Sequence, residues 1–112
     1  MSLLAVGLNH TTAPVDLRER LAVPREQIGE SLASLARHAA LSEVVLLSTC
    51  NRVEVYAVQP EQGGPQRIVD ALAALRGLRG DDLRSHCFVR EHDGAARHIF
   101  RVAASLESMV VG

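Results

Sequence analysis

The chain has 112 residues, 47% of them apolar, a formal net charge of −1, and 12 basic residues, all of which are arginine. This length predicts one domain with a modest core, and no apolar run approaches the roughly 18 to 20 residues that cross a bilayer. Dispersed arginines, one tyrosine and two phenylalanines disfavour a basic stripe or a base-stacking sheet for nucleic acid. Two cysteines without a secretory leader indicate a reducing, cytoplasmic setting, with a Cys50–Cys87 disulfide as the minor alternative.

The first third of the chain predicts a strand followed by two helices. Residues 3–8 are apolar enough for a central strand, and a polar loop over residues 9–14 ends it. Residues 16–22 form a short helix that Pro24 halts, and proline suits the first turn of the helix that follows. That second helix has one apolar stripe, which consists of Ile28, Leu32, Leu35, Ala36 and Ala39.

Two consecutive strands follow, with Cys50 between them. Residues 44–47 form an apolar strand. In the strand after it, polar and apolar side chains alternate, which is typical of a strand with one face on a core. The polar set is Arg52, Glu54 and Tyr56, and the apolar set is Val53, Val55 and Ala57.

The rest of the chain predicts a third helix, a short strand and a last helix. After a loop over residues 59–65, residues 66–76 form a helix that Gly77 ends. Its buried stripe is Ile68, Val69, Leu72, Ala73 and Leu75. Residues 81–85 form one turn before a strand over residues 87–89, and Asp93 is the expected N-cap of the last helix. The core stripe of that helix is Ile99, Val102, Ala103 and Leu106, with His98 on its flank.

This order of elements predicts an α+β fold. It is a ferredoxin-like β-α-β-β-α-β antiparallel sheet with helices on one face and a trailing C-terminal helix. The last helix has no cap and no finishing element after it. We therefore expect it to leave the domain, and we expect the chain to be a piece of a longer protein.

Cys50 is the residue most suited to covalent chemistry. The thiolate is the attacking species, and positive charge or oriented amides lower the pKa of a cysteine from about 8.5. Arg52 lies two residues on, and Thr49 and Asn51 offer donors for a developing oxyanion. The alternative, which the residues alone favour, is a small buried hydrophobe in a hairpin. Cys87 lies in an apolar strand, so we interpret it as a core residue.

The histidines and the remaining charges are weaker candidates. His98, beside an apolar stripe, is more often a packed residue than a catalyst. His10, in the loop after the first strand, either faces a ligand or is solvated. Arg52 either pairs with Glu54 or holds a carboxylate in its rigid fork. The three histidines between residues 86 and 98 lack the spacing of a helical zinc site, so we predict no metal site.

Three stretches resemble motifs of the glutamyl-tRNA reductase family, in that family's order. Residues 7–15, GLNHTTAPV, with Arg18 and Glu19 after them, resemble its opening signature. Residues 48–54, STCNRVE, resemble its nucleophile motif, and residues 96–112, ARHIFRVAASLESMVVG, resemble its third block. The match runs from end to end of the chain. Ser105 stands where the family more usually has glycine, and Glu107 where aspartate is common.

The resemblance implies that residues 1–112 are the N-terminal catalytic, glutamyl-binding domain of an enzyme of tetrapyrrole (porphyrin) synthesis. Cys50 would attack the ester of glutamyl-tRNA and hold glutamate as a thioester, which NADPH would reduce to glutamate-1-semialdehyde. Arg52 would grip the glutamate carboxylate, and His98 would assist proton transfer to the leaving ribose oxygen. Thr49 and Ser108 would hydrogen-bond the glutamyl group or the oxyanion. Further pocket residues implied are Asn51, Asn9, His10 and Glu54.

The resemblance also implies a cofactor and partners. NADPH would bind a second domain absent from this chain, since no Gly-x-Gly-x-x-Gly fingerprint follows any strand. A third domain, also absent, would form a homodimer, and the downstream aminomutase would be a further partner. We expect a cytoplasmic protein that binds glutamyl-tRNA and no membrane. This chain alone is expected to form the thioester without completing the reduction.

Two alternatives from other classes stay open. One is a non-catalytic ferredoxin-like ligand-binding or regulatory module, whose function would survive alkylation of the thiol. The other is an RNA-binding module, whose affinity for tRNA would fall steeply with salt because many phosphate contacts release counterions.

Overall fold

A four-stranded antiparallel sheet organises the chain. A computed structural model describes residues 1–60 and 63–111, with side chains as far as residue 106. Its strands are β1 (Ser2–Asn9), β2 (Glu43–Ser48), β3 (Arg52–Gln59) and β4 (Phe88–Glu91). They lie in the order β2-β3-β1-β4, and each neighbouring pair is antiparallel. This order confirms the predicted ferredoxin-like fold.

The helices follow the predicted order, with small shifts at their ends. They are α1 (Val15–Leu21), a 3₁₀ turn (Arg25–Gln27), α2 (Ile28–His38), α3 (Gly64–Leu75), α4 (Gly80–Arg84) and α5 (His92–Val111). Helix α3 begins earlier than predicted because Pro65 fits its first turn. None of the helices in the described ranges is long and apolar enough to cross a membrane.

Two predictions about the last strand and helix are wrong. Cys87 lies outside β4, which begins at Phe88; the amide of Cys87 instead donates to the carbonyl of Leu83, at 3.0 Å, at the end of α4. Asp93 is not the N-cap of α5, because the helix already includes His92 and Asp93 lies within its first turn.

The main core lies between one face of the sheet and helices α1 to α4. The predicted inward positions of β3, namely Val53, Val55 and Ala57, are buried there. The stripes predicted for α2 and α3 also pack into this core, with Leu35, Ala39, Ile68 and Leu72 fully buried. The alternation in β3 thus predicted correctly which side chains face the main core.

The first part of α5 covers the opposite face of the sheet, so the expectation that this helix leaves the domain is wrong for that part. A small cluster of Ala5, Phe88 and Ala95 lies there, with Leu3 and Tyr56 packed against it. Beyond that cluster α5 does not close a core. Val102 is buried, but Ala103 is exposed, contrary to the prediction that both belong to a core stripe, because this part of α5 lines an open apolar groove of about 490 Å³ with β2.

Candidate active site

The turn that carries Cys50 is closed by its own hydrogen bonds. The amide of Thr49 donates to the carbonyl of Arg52 at 2.8 Å, which closes the link of residues 49–51 between β2 and β3. The hydroxyl oxygen of Thr49 accepts from the amides of Asn51 and Arg52, at 3.2 and 3.3 Å. A threonine side chain that bonds backbone amides two and three residues on fixes a tight turn. Within residues 1–60 and 63–106 this hydroxyl only accepts, so its hydrogen remains for a ligand.

Cys50 is exposed and carries a free thiol. It lies beside a cleft of about 320 Å³ between α1 and the end of β2, which Arg18, Val23 and Ser48 also line. A hydrogen bond from the amide of Val23 to Oγ of Ser48, at 2.9 Å, joins the two segments that form the walls of this cleft. An exposed thiol excludes the alternative that Cys50 is a buried hydrophobe.

The other cysteine is chemically different. Cys87 is half-buried, packs against the main core, and is also a free thiol. Burial raises the pKa of the Cys87 thiol to about 11, because a thiolate is poorly solvated among apolar groups. The packing of Cys87 against the core agrees with the interpretation of this residue as structural.

A buried carboxylate lies at the centre of the polar face of β3. Glu54 has no exposed surface, although the sequence alternation groups it with polar positions. Its Oε2 accepts from Nη1 of Arg52 at 3.0 Å. Its Oε1 accepts from the hydroxyl of Tyr56 at 2.6 Å and lies 2.6 Å from Nε2 of His98. Three donors thus surround one carboxylate, which is how a charge survives burial.

Glu54 determines which nitrogen of His98 carries a hydrogen. A carboxylate only accepts, so Nε2 must hold the hydrogen of the 2.6 Å contact. Nδ1 therefore has either a lone pair or a second proton, and it is the nitrogen left for acid–base chemistry. The ring is also packed against Phe88, with centroids 4.6 Å apart, and edge-on to Tyr56 at 6.1 Å.

Tyr56 acts as a neutral donor in this cluster. Burial, together with the hydrogen bond to Glu54 and the repulsion of its charge, raises the pKa of the Tyr56 phenol far above its usual value. The phenol therefore keeps its proton at any physiological pH and supplies one of the three contacts that stabilise Glu54.

Strand β1 contributes the neighbouring wall. Asn9 pairs with Arg52 across the β1–β3 ladder, and Gly7 pairs with Glu54. A Cβ on Gly7 would lie 2.7 Å from Cα of Glu54, so only glycine lets the two strands approach here. Oδ1 of Asn9 accepts from the amide and hydroxyl of Thr11, at 2.9 and 2.6 Å, which shapes the loop in which His10 is exposed.

The predicted site residues divide into two groups. Arg52, Glu54 and His98 meet on the face covered by α5, with Asn9 beside Arg52. Thr49, Cys50 and Asn51 form the turn at the same end of β3. Among the described residues no hydrogen bond joins the thiol of Cys50 to Arg52 or His98. Ser108 lies on α5, but its side chain is outside the described part of the chain.

Among the side chains of residues 1–60 and 63–106, no three from His, Cys, Asp and Glu lie close enough together to hold a metal ion.

Two contributors were missed by the sequence analysis. Tyr56 was noted only as part of an alternating strand, although its position two residues after Glu54 on the same face could have indicated the contact. Arg18 was quoted within the opening motif without a role, yet its guanidinium reaches the carbonyl of Cys50 at 3.0 Å. No sequence pattern signals a contact between residues so far apart.

Comparison with known families supports the motif resemblance. The family model described as "Glutamyl-tRNAGlu reductase, N-terminal domain" matches residues 6–112 of this chain. A glutamyl-tRNA reductase from Synechococcus sp. (strain JA-3-3Ab) is 43% identical over 113 residues, covering 100% of this chain and 26% of that protein. One from Sorangium cellulosum (strain So ce56) is 44% identical over 130 residues, covering 98% of this chain and 24% of that protein. The chain thus spans about a quarter of the length of these relatives.

A solved structure has the same fold. The structure described as glutamyl-tRNA reductase from Methanopyrus kandleri superposes with a TM-score of 0.64 at 34% sequence identity. The similarity covers 96% of this chain and 23% of that one.

Proposed function

Since the chain belongs to the family of glutamyl-tRNA reductase N-terminal domains, we propose that it transfers glutamate from glutamyl-tRNA to the thiol of Cys50. The sulfur attacks the ester carbonyl carbon, a C–S bond forms, and the C–O bond to the ribose breaks. The thiol proton ends on the released tRNA hydroxyl, so the step needs no further reactant. A covalent thioester divides a difficult reduction into two easier steps.

The observation that carries this proposal is the exposed free thiol at one end of a strand whose buried carboxylate orients an arginine and a histidine. A cysteine that only fills the core is not exposed. Burying a carboxylate costs free energy, so a buried carboxylate with three donors indicates a role in holding those donors in place. Both features lie within the residues that match the family.

His98 is proposed to supply the proton for the leaving oxygen. Glu54 fixes the hydrogen on Nε2, so Nδ1 can give or take a proton while the ring keeps its orientation. A carboxylate behind a histidine also stabilises the imidazolium that forms when the ring takes a proton.

Arg52 is proposed to bind the side-chain carboxylate of the glutamyl group. Only Nη1 contacts Glu54, so the rest of the planar guanidinium keeps donors for a second carboxylate. An amide cannot form the same charged pair, which favours glutamate over glutamine. We assign Glu54 a positioning role, because a side chain with no exposed surface and three donors has no room for a ligand.

The remaining predicted residues keep lesser roles in the proposal. The free hydrogen of the Thr49 hydroxyl suits the oxyanion, and exposed Asn51 beside it suits the glutamyl group. Asn9 and His10 lie at the end of β1 next to Arg52, where they can contact the substrate. Ser108 is kept from the family motif alone.

Only acylation is assigned to these residues. NADPH, the reductant that the family implies, does not fit them: the sheet is antiparallel, and no Gly-x-Gly-x-x-Gly fingerprint follows any of its strands. We place the NADPH site, the homodimer contacts and any contact with an aminomutase outside this chain. The proposal assigns the chain to tetrapyrrole biosynthesis in a reducing, cytoplasmic compartment, which would preserve the thiol.

The test is to trap the acyl group. The chain is incubated with tRNA carrying radiolabelled glutamate, quenched in acid, and treated with hydroxylamine, which cleaves thioesters. We expect a hydroxylamine-labile label on the wild type and on a Cys87→Ser control, and none on Cys50→Ser. A label retained by Cys50→Ser, or no label on the wild type, would show that the proposed function is wrong.

A further inference from the structure

Arg18 connects two backbone segments that are far apart in the sequence. From α1, its Nε donates to the carbonyl of Ala13 at 3.2 Å, in the loop after β1. Its Nη1 donates to the carbonyl of Cys50 at 3.0 Å, in the turn between β2 and β3. One rigid, planar group therefore fixes the distance between the loop and the turn.

The peptide group that follows Cys50 is held at both ends. Arg18 donates to its oxygen, and Oγ1 of Thr49 accepts from its nitrogen, the amide of Asn51, at 3.2 Å. Holding both ends of a peptide plane fixes the rotation about the Cα–C bond of the residue before it. The direction in which the Cys50 side chain leaves the turn is therefore constrained by a residue 32 positions earlier.

The interaction concerns geometry more than stability. The contact between Arg18 and Cys50 is exposed, so water competes with it and its removal leaves no buried group unpaired. Arg18 is also half-buried beside the cleft that Cys50 lines, so its head group has little freedom to leave the turn. A small displacement of a nucleophile costs rate even when the fold is intact.

We propose that Arg18 is a positioning residue for the nucleophile, which holds the peptide between Cys50 and Asn51 so that the thiol meets the ester carbonyl at a productive angle. This inference rests on the proposed function. It assigns Arg18 no contact with the substrate and no proton transfer.

The test compares three variants in single-turnover acylation by glutamyl-tRNA. Arg18→Gln removes the charge and the fork, Arg18→Lys keeps the charge but has one donor centre, and Arg20→Gln is the matched control on the exposed side of α1. We expect the maximal acylation rate of Arg18→Gln to fall roughly 10- to 100-fold, with the half-saturating tRNA concentration little changed. Arg18→Lys should be intermediate, and Arg20→Gln should match the wild type.

A second measurement separates orientation from damage to the fold or the thiol. Iodoacetamide alkylates an exposed thiol from many directions, so the alkylation rate of Cys50 in Arg18→Lys should equal that of the wild type while its acylation rate is lower. Acylation by Arg18→Gln at the wild-type rate would overturn the inference and leave the proposed function intact. A parallel fall in alkylation and acylation would also overturn it. A wild type that forms no thioester would overturn both.

Discussion

The carboxylate of Glu54 and the imidazole of His98 meet at 2.6 Å across the packing of α5 on β3, although 44 positions separate them in the chain. Glu54 is fully buried and also holds Arg52 and Tyr56. One carboxylate thus fixes the two side chains to which we assign acid–base chemistry and substrate binding.

Replacing this carboxylate should lower stability. In Glu54→Gln the amide nitrogen must face a donor, either Arg52 on one side or Tyr56 and His98 on the other. Removing one partner of a buried charge pair costs about 3 to 5 kcal/mol. We expect the free energy of unfolding, measured by urea denaturation, to fall by about this amount. The exposed residue Glu91 gives a control, since Glu91→Gln should change stability by less than about 0.5 kcal/mol. Equal free energies of unfolding for the two variants would show that the contacts of Glu54 do not stabilise the fold.

Replacing His98 should lower the rate of thioester formation more than the free energy of unfolding. In His98→Gln the amide nitrogen can still donate to Glu54, so the buried carboxylate keeps a partner, but the acid–base group is lost. A positioned general acid contributes roughly 10²- to 10⁴-fold. We expect a fall of this size in the single-turnover rate of thioester formation. His38→Gln, at the exposed end of α2, is the control and should react at the wild-type rate.

Gly7 gives a test of the close approach between β1 and β3. A methyl group at Gly7 would lie 2.7 Å from Cα of Glu54 and closer still to the carbonyl oxygen of Val53, so Gly7→Ala must push the strands apart. Overpacking of this kind costs about 1 to 3 kcal/mol. Gly29, in α2, has nothing within 4 Å of the same atom, and Gly29→Ala should stabilise the chain by roughly 0.5 to 1 kcal/mol. Thermal unfolding of both variants measures these opposite effects; a stabilised Gly7→Ala would contradict the described register.

The two cysteines should react with iodoacetamide at different pH values. Burial raises the pKa of Cys87 to about 11, so its folded thiol stays protonated between its ordinary pKa and that value while the unfolded thiol ionises. The unfolded state then binds fewer protons, and this group lowers stability as pH rises through that window. At pH 8, iodoacetamide should label Cys50 alone, as read by peptide mass spectrometry. Labelling of Cys87 should require a pH near 11 or unfolding in urea. Rapid labelling of Cys87 in the folded chain at pH 8 would contradict its burial.

Much of the fold could be predicted because its signals are local. Alternation in β3 placed Val53 and Val55 on the core, and the apolar stripes of α2 and α3 predicted the helices that cover that face. The position of Cys50 between two consecutive strands was also predicted, from the apolar run before it and the alternation after it. These patterns depend only on the periods of strands and helices.

The burial of Glu54 could not be predicted in this way. Alternation assigns Arg52, Glu54 and Tyr56 to a face away from the main core, and such a face is usually solvated. It is α5, beginning some forty residues later, that covers this face, and no local period reports which strand a distant helix will cover. The contact between Arg18 and Cys50 could not be predicted for the same reason, since 32 positions separate the two residues. The exposure of Ala103 was not predicted, because an apolar stripe on a helix does not show whether another element covers it.

The most direct test of the account is to locate the acyl group. After reaction with glutamyl-tRNA and an acid quench, the chain is digested at low pH and its peptides are sequenced by mass spectrometry. We expect a glutamyl thioester on the peptide that contains Cys50 and an unmodified Cys87. A glutamyl group on another residue, or an unmodified Cys50 after prolonged incubation, would contradict it.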